Sequence, residues 1–193
     1  LEVAQIHGNL SGSVRLGTFS SVTAAWLPQL LRRFREEYPG IQLTIHQGNA
    51  QELADWLEND GVDLAFVVNG AAPQSAELSP ICQDPLVCVA PADYVPPLGD
   101  RVTPEDIAGM DLILPQGGGQ PEVSEFLTQN HLQQDPSFYI DTKEAMASLV
   151  ASGLGFGIAS AMDDFSLHPG LRTYPIHPTI FRTISLATAH HTF

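Results

Sequence analysis

The chain has 193 residues, of which 44% are apolar and 16% charged, which gives it enough length to bury a core and excludes a disordered segment. Its 22 acidic residues outnumber 8 basic ones, for a net charge of −14, so the surface repels phosphate and is unsuited to gripping nucleic acid or an anionic membrane. No apolar run approaches membrane-spanning length and the N-terminus carries no signal-peptide core, so the expected setting is the cytoplasm.

In chain order, Val14 to Gly17 reads as a short strand that ends in a polar turn, Thr18-Phe19-Ser20-Ser21. From Ser21 the apolar positions Leu27, Leu30, Leu31, Phe34 and Tyr38 follow helical spacing. Ser20 or Ser21 is placed to cap that helix, Pro28 predicts a kink or a late start, and Pro39-Gly40 ends it. Ile41 to Ile45 alternates as a strand. Asn49 then caps a second helix through Leu53, Ala54 and Leu57, Gly61 stops it, and Val62 to Val68 is a buried strand. Strand, helix, strand, helix, strand implies a mostly parallel sheet with right-handed crossovers.

A Pro- and Ala-rich loop from Asn69 to Pro80 follows, and Leu86 to Ala90 is strand-like. Thr103-Pro104-Glu105-Asp106 is a helix start, with a cap, a proline in first position and acids in the first turn. Leu112 to Leu114 reads as a strand, Gly117 to Gly119 as a flexible turn, and Pro121 opens a helix through Phe126 and Leu127. After a strand at Phe138 to Ile140, Asp141 and Glu144 resemble a capping box for a helix through Met146, Leu149 and Val150 that Gly153 ends. Strands at Phe156 to Ala159, Leu171 to Pro175 and Thr183 to Ala189 complete the chain. The alternation occurs twice, with a break near Asn69 to Ala90, so the expected fold class is α/β in two Rossmann-like lobes. In such sheets ligands sit beyond the carboxyl ends of the strands, near helix N-termini.

Little in the sequence argues for catalysis, a cofactor or a metal. Gly153, Gly155 and Gly157 follow a helix and lead into a strand, the reverse of a dinucleotide fingerprint. Gly117 to Gly119 follows a strand and precedes a helix, a bare turn or an anion cradle. The histidines form no metal-ligand pair at helical spacing, and adjacent His190 and His191 would face opposite sides of a strand. No nucleophile elbow is present, and paired acids such as Asp163-Asp164 read as solvated helix residues. Cys82 and Cys88 read as buried thiols in a reducing compartment, with a redox pair as the alternative. Lys143, in the first turn of a helix, is either an exposed lysine paired with Glu144 or Asp141 or an anchor for a ligand. Thr18, Ser20 and Ser21 place three hydroxyls where strand meets helix, of which capping explains one, and so suggest a surface for a small, anionic ligand.

The runs GSVRLGTFSSVTAAWLPQLLRRFREEYPGIQLTI, GNAQELADWLENDGVDLAFV, PLVCVAPADYV and DTKEAMASLVASGLGFGIASA, in that order, resemble the effector-binding domain of a LysR-type transcriptional regulator over nearly the whole chain. LEVAQIHGNLSG resembles the tail of the linker helix before that domain. The resemblance implies a type 2 periplasmic-binding-protein fold: residues 1–12 end the linker helix, 13–86 and 185–193 form lobe I, and 87–184 form lobe II. Two strands cross between the lobes, near Leu86 to Val89 and Ile184 to Ala187, and a small effector lies between the lobes. Carried over by position, the effector contacts would be Thr18, Ser20, Ser21, Asn49, Ala50 and Asn69 from lobe I. Gln116, Gly118, Gly119, Thr142 and Lys143 would contribute from lobe II. A hydroxyl is common in the family where Ala50 stands.

The family's winged helix-turn-helix and its last helix lie outside this chain, which on this reading is a trimmed piece. DNA contact would then belong to the N-terminal segment alone. The resemblance also implies a homodimer or homotetramer, with the Ser21 to Tyr38 helix against lobe II of an antiparallel partner, and no catalytic activity. Two rivals share the fold: a solute-binding protein of a transport system, and an enzyme acting in the cleft.

Overall fold

The polar turn after the first strand holds its shape in the computed structural model, which describes residues 10–115, 120–132, 136–166 and 168–188. β1 (Gly12–Thr18) runs into α1 (Ser20–Ala25), and α2 (Leu27–Glu37) begins after a break at Trp26. The break is the effect of Pro28, which sits in the first turn of α2, where its missing N–H costs nothing. Neither serine caps α1. Phe19 occupies the cap position in extended backbone, and Thr23 Oγ1 donates back to its carbonyl at 3.0 Å. That bond ends on a carbonyl, so the predicted capping hydroxyl is not replaced and α1 has no side-chain cap.

β2 (Ile41–Gln47) and β3 (Leu64–Val68) flank β1, both parallel to it. Between them α3 (Ala50–Glu58) starts at Asn49 with a reciprocal capping box. Glu52 N–H donates to Asn49 Oδ1 at 2.9 Å, and Asn49 N–H donates to Glu52 Oε2 at 2.7 Å. Asn49→Ala is expected to cost about 1 kcal/mol through loss of this cap, readable as a lowered denaturant midpoint with an unchanged slope. Gly17 lets α3 lie close on β1: a Cβ there would stand 2.9 Å from both Ala65 Cβ and Leu53 Cδ2.

The chain divides into two compact units. One runs to Cys82 and resumes at Thr183, and the other is Gln83–Arg182. In the first unit the sheet order is β2-β1-β3-β7, where β7 (Phe181–Thr188) is antiparallel to β3. The pairings of β1 with β2 and β3 are parallel, as their alternation with helices predicts, and the sheet becomes mixed only at β7, which returns from far along the chain instead of through a βαβ crossover. One face, with Ala65, Val67 and Ala187, packs under Leu53 and Leu57 of α3. On the other face Leu16 and Phe66 are buried, with Trp26 edge-on to Phe66 at 5.7 Å between ring centres.

The second unit is built around β4 (Glu77–Pro91), which is longer at its start than the strand predicted from Leu86, since Glu77 to Pro85 extend it and the predicted loop ends before Glu77. β5 (Gly157–Ser160) and β6 (Leu171–Pro175) pair with it on either side, both antiparallel. Cys88 and Ala90 pack into one core with Val102, Ile107 and Phe126, while Val89 packs into a second with Met146 and Val150. A strand buried on both faces explains the unbroken apolar run LVCVA. α4 (Pro104–Ile107) has the predicted start, capped reciprocally by Thr103 and Asp106. α5 (Pro121–Gln129) begins at its proline. α6 (Lys143–Ala151) is capped by Thr142, not Asp141, with Thr142 Oγ1 accepting from Ala145 N–H at 3.4 Å. Gly153 follows α6 with a φ of 73°, the left-handed turn that ends helices. Leu112 and Leu114 make single parallel bridges to Phe156 and Tyr139 rather than a strand. The linker-helix reading of residues 1–12 falls mainly on positions outside the described residues, as do His7, His190 and His191.

Candidate functional site

β1 lies between β2 and β3, so their carboxyl ends stand side by side. Gly48 N–H donates to Thr18 O at 3.0 Å, which ties the turn before α3 to the end of β1. Thr18 is fully buried, with its Oγ1 in hydrogen-bond contact with Thr23 Oγ1 at 3.2 Å. Ser21 is also buried, in the first turn of α1. These two hydroxyls shape the turn from beneath. Ser20, Asn49, Ala50 and Asn69 are exposed.

Asn69 opens a single 3-10 turn, Asn69–Ala71, at the end of β3, and its Oδ1 accepts from Ser185 Oγ. Ser185 is fully buried on β7 and locks the amide's oxygen inward. Nothing in the sequence paired these two residues, 116 positions apart. Both asparagine oxygens in this group are thus occupied, Asn49 by Glu52 N–H and Asn69 by Ser185. Their Nδ2 groups and the Ser20 hydroxyl have no hydrogen-bond partner among the described residues. The first unit therefore presents exposed donors at three adjacent strand ends, held by a buried polar underlayer. Such a surface suits an acceptor-rich ligand.

In the second unit Thr142 and Lys143 sit at the N-terminus of α6. Lys143 Nζ lies 3.2 Å from Asp163 Oδ1, in a partly buried pair. Ser166 lowers the Asp164 carboxyl below its ordinary range, chiefly by hydrogen bonding, with the Lys143 charge adding to the effect. Lys143 is therefore already engaged with carboxylate, and an anionic ligand there must compete with Asp163. Gln116, Gly118 and Gly119 lie outside the described residues.

A groove of about 830 Å³ opens in the first unit between α2 and the sheet. Leu16, Leu43 and Phe66 form its floor, and Trp26, Leu30 and Phe34 its wall. Among the described residues, none of the predicted effector contacts lines it, and its apolar surface does not match a charged guest. No group of His, Cys, Asp and Glu able to hold a metal occurs among the described residues. Among those residues, no helix is long and apolar enough to cross a membrane.

Cys88 is fully buried, and burial pushes its thiol up to about 12 from an ordinary 9.0, with Asp106 adding to the rise. Between those values the folded state keeps a proton that the unfolded chain releases, so stability falls as pH rises through that window. Cys88 is expected to resist a thiol reagent in the native protein and to react only on unfolding, checked by mass spectrometry with and without denaturant.

With this geometry described, known proteins give the class. The LysR substrate binding domain family matches residues 7–193, and the chain belongs to that family, the ligand-sensing part of LysR-type transcriptional regulators. These proteins are regulators, not enzymes, and membership separates the chain from transport solute-binding proteins of similar fold.

Among similar curated proteins, the uncharacterized HTH-type transcriptional regulator YvbU of Bacillus subtilis (strain 168) is 24% identical over 178 residues, 91% of this chain and 60% of YvbU. The HTH-type transcriptional activator CmpR of Synechocystis is 28% identical over 160 residues, 82% of this chain and 52% of CmpR. The chain thus spans little more than half the length of these relatives.

Among solved structures, the effector binding domain of QuiR in complex with shikimate has a TM-score of 0.85 at 21% identity, over 95% of this chain and 90% of that one. The Synechocystis PCC6803 CcmR regulatory domain in complex with 2-PG has a TM-score of 0.81 at 20% identity, with the same coverage. This likeness fixes the fold as the type 2 periplasmic-binding class.

Proposed function

We propose that the chain senses a small organic anion and is the sensory part of a longer, cytoplasmic transcriptional regulator. In that protein an N-terminal winged helix-turn-helix contacts DNA, and homodimers or homotetramers carry the signal. Effector binding shifts the balance between arrangements of the assembly and so changes how the DNA-binding segments meet their operator.

The observation that carries this reading is the set of exposed donors at three strand ends, Ser20, Asn49 and Asn69, whose neighbouring acceptors are already occupied. Thr18, Ser21 and Ala50 complete the surface in the first unit. Thr142, Lys143, Gln116, Gly118 and Gly119 are the candidates in the second unit, with the two lobes bounded as the family resemblance implies. The ligands bound by QuiR and CcmR, shikimate and 2-PG, support a small polar metabolite, and shikimate is a hydroxylated carboxylate.

A thermal-shift panel of small carboxylates and small aromatics tests the reading. A true effector at about 100 times its Kd stabilises the protein by about 2.7 kcal/mol, and Asn69→Ala lowers its affinity about tenfold. Failure of every carboxylate to stabilise the domain at millimolar levels contradicts the proposal. Light scattering tests the assembly: a strict monomer at high concentration contradicts pairing.

A further inference from the structure

Where the chain enters and leaves the second unit, two charged residues are buried against each other. Asp84 is the second residue of that unit and Arg182 its last. Arg182 Nε donates to Asp84 Oδ2 at 2.6 Å, and Ser160 Oγ donates to the same oxygen at 2.7 Å. Met162 N–H donates to Ser160 Oγ at 2.9 Å and fixes the hydroxyl. All three side chains are at least nine-tenths buried. Asp84 Oδ1 is buried without a hydrogen-bond partner among the described residues.

Such a cluster is a poor way to gain stability, because taking both charges out of water costs about what their attraction returns. It is a good way to fix one arrangement, since any slip of one strand strands a charge in the interior. Backbone bonds frame it: Leu86 N–H donates to Ile180 O at 2.8 Å, and Ala161 N–H to Pro85 O at 2.9 Å. On the first unit's side, Ile184 is registered with Val68 of β3, and Ile81 lines the groove over the sheet.

We propose that Asp84, Arg182 and Ser160 form a clamp that makes the incoming β4 and the outgoing β7 parts of the rigid second unit. The clamp lies outside the proposed effector surface and does not depend on the identity of any ligand.

Hydrogen exchange of the intact chain, without ligand, tests it at the Leu86 and Ala161 amides. In the unmodified protein both exchange as slowly as the β4–β6 amides at the centre of the unit. Ser160→Ala, a small change at a buried site, speeds both by about tenfold or more, Ser160→Thr restores them, and the β1–β2 amides of the first unit are unchanged. Asp84→Asn gives a larger effect of the same pattern. The proposal is overturned if both amides exchange much faster than the centre in the unmodified protein. It is equally overturned if Ser160→Ala speeds every amide of the second unit alike, or none.

Discussion

Asp84→Ala is expected to destabilise the second unit by about 3–5 kcal/mol, because it leaves the Arg182 guanidinium buried without its carboxylate. The side chains of this pair are 6% and 0% exposed, so water cannot replace the lost partner. For a chain of this size each kcal/mol moves Tm by roughly 2–4 °C, so the loss is visible by calorimetry. The partner experiment separates charge from packing. Replacing the pair together, Asp84→Leu with Arg182→Met, removes both charges at similar volume and is expected to recover most of the stability. A single variant as stable as the parent, or a double variant worse than either single one, would show that the ion pair does not dominate this site.

Leu53→Ala is expected to cost about 2–5 kcal/mol, the usual range for a buried leucine whose cavity does not collapse. Leu53 is the contact by which α3 rests on β1, and Gly17 lies directly beneath it. Gly17→Ala alone pushes a methyl group against Leu53 and Ala65 and is expected to cost about 1–3 kcal/mol. Combined with Leu53→Ala the methyl enters the vacated space, so the double variant is expected to lose less than the sum of the two. Urea denaturation of the four proteins measures that coupling, and strict additivity would mean that the two positions do not share a cavity. Because α3 presents Asn49, the same Leu53→Ala variant is expected to weaken effector binding as well.

Much of the fold was legible because local signals agreed with the tertiary structure. Asn49, Thr103-Pro104 and Pro121 each start a helix where the sequence put them, since a cap or a first-turn proline acts within one turn of its own position. The misread caps failed by one position: Thr142 stands next to Asp141 and caps α6, and Phe19, which has no capping hydroxyl, holds the cap position just before Ser20. Pairings across the chain were not legible. Nothing local announced that β7 would close the first sheet antiparallel to β3, that Ser185 would hold Asn69, or that Lys143 would choose Asp163. The Asp84–Arg182 pair was likewise invisible, because its members are 98 positions apart and each reads singly as an ordinary surface charge.

The central claim is that a small anion is held by donors at the strand ends of the first unit. Amide chemical shifts followed by NMR while a stabilising carboxylate is titrated in test it most directly. The account predicts saturable shifts at Phe19 to Ser21, Gly48 to Ala50 and Asn69 to Gly70, lost in the Asn69→Ala protein. Saturable shifts confined instead to the apolar groove, at Leu16, Leu30, Phe34 and Phe66, would contradict it.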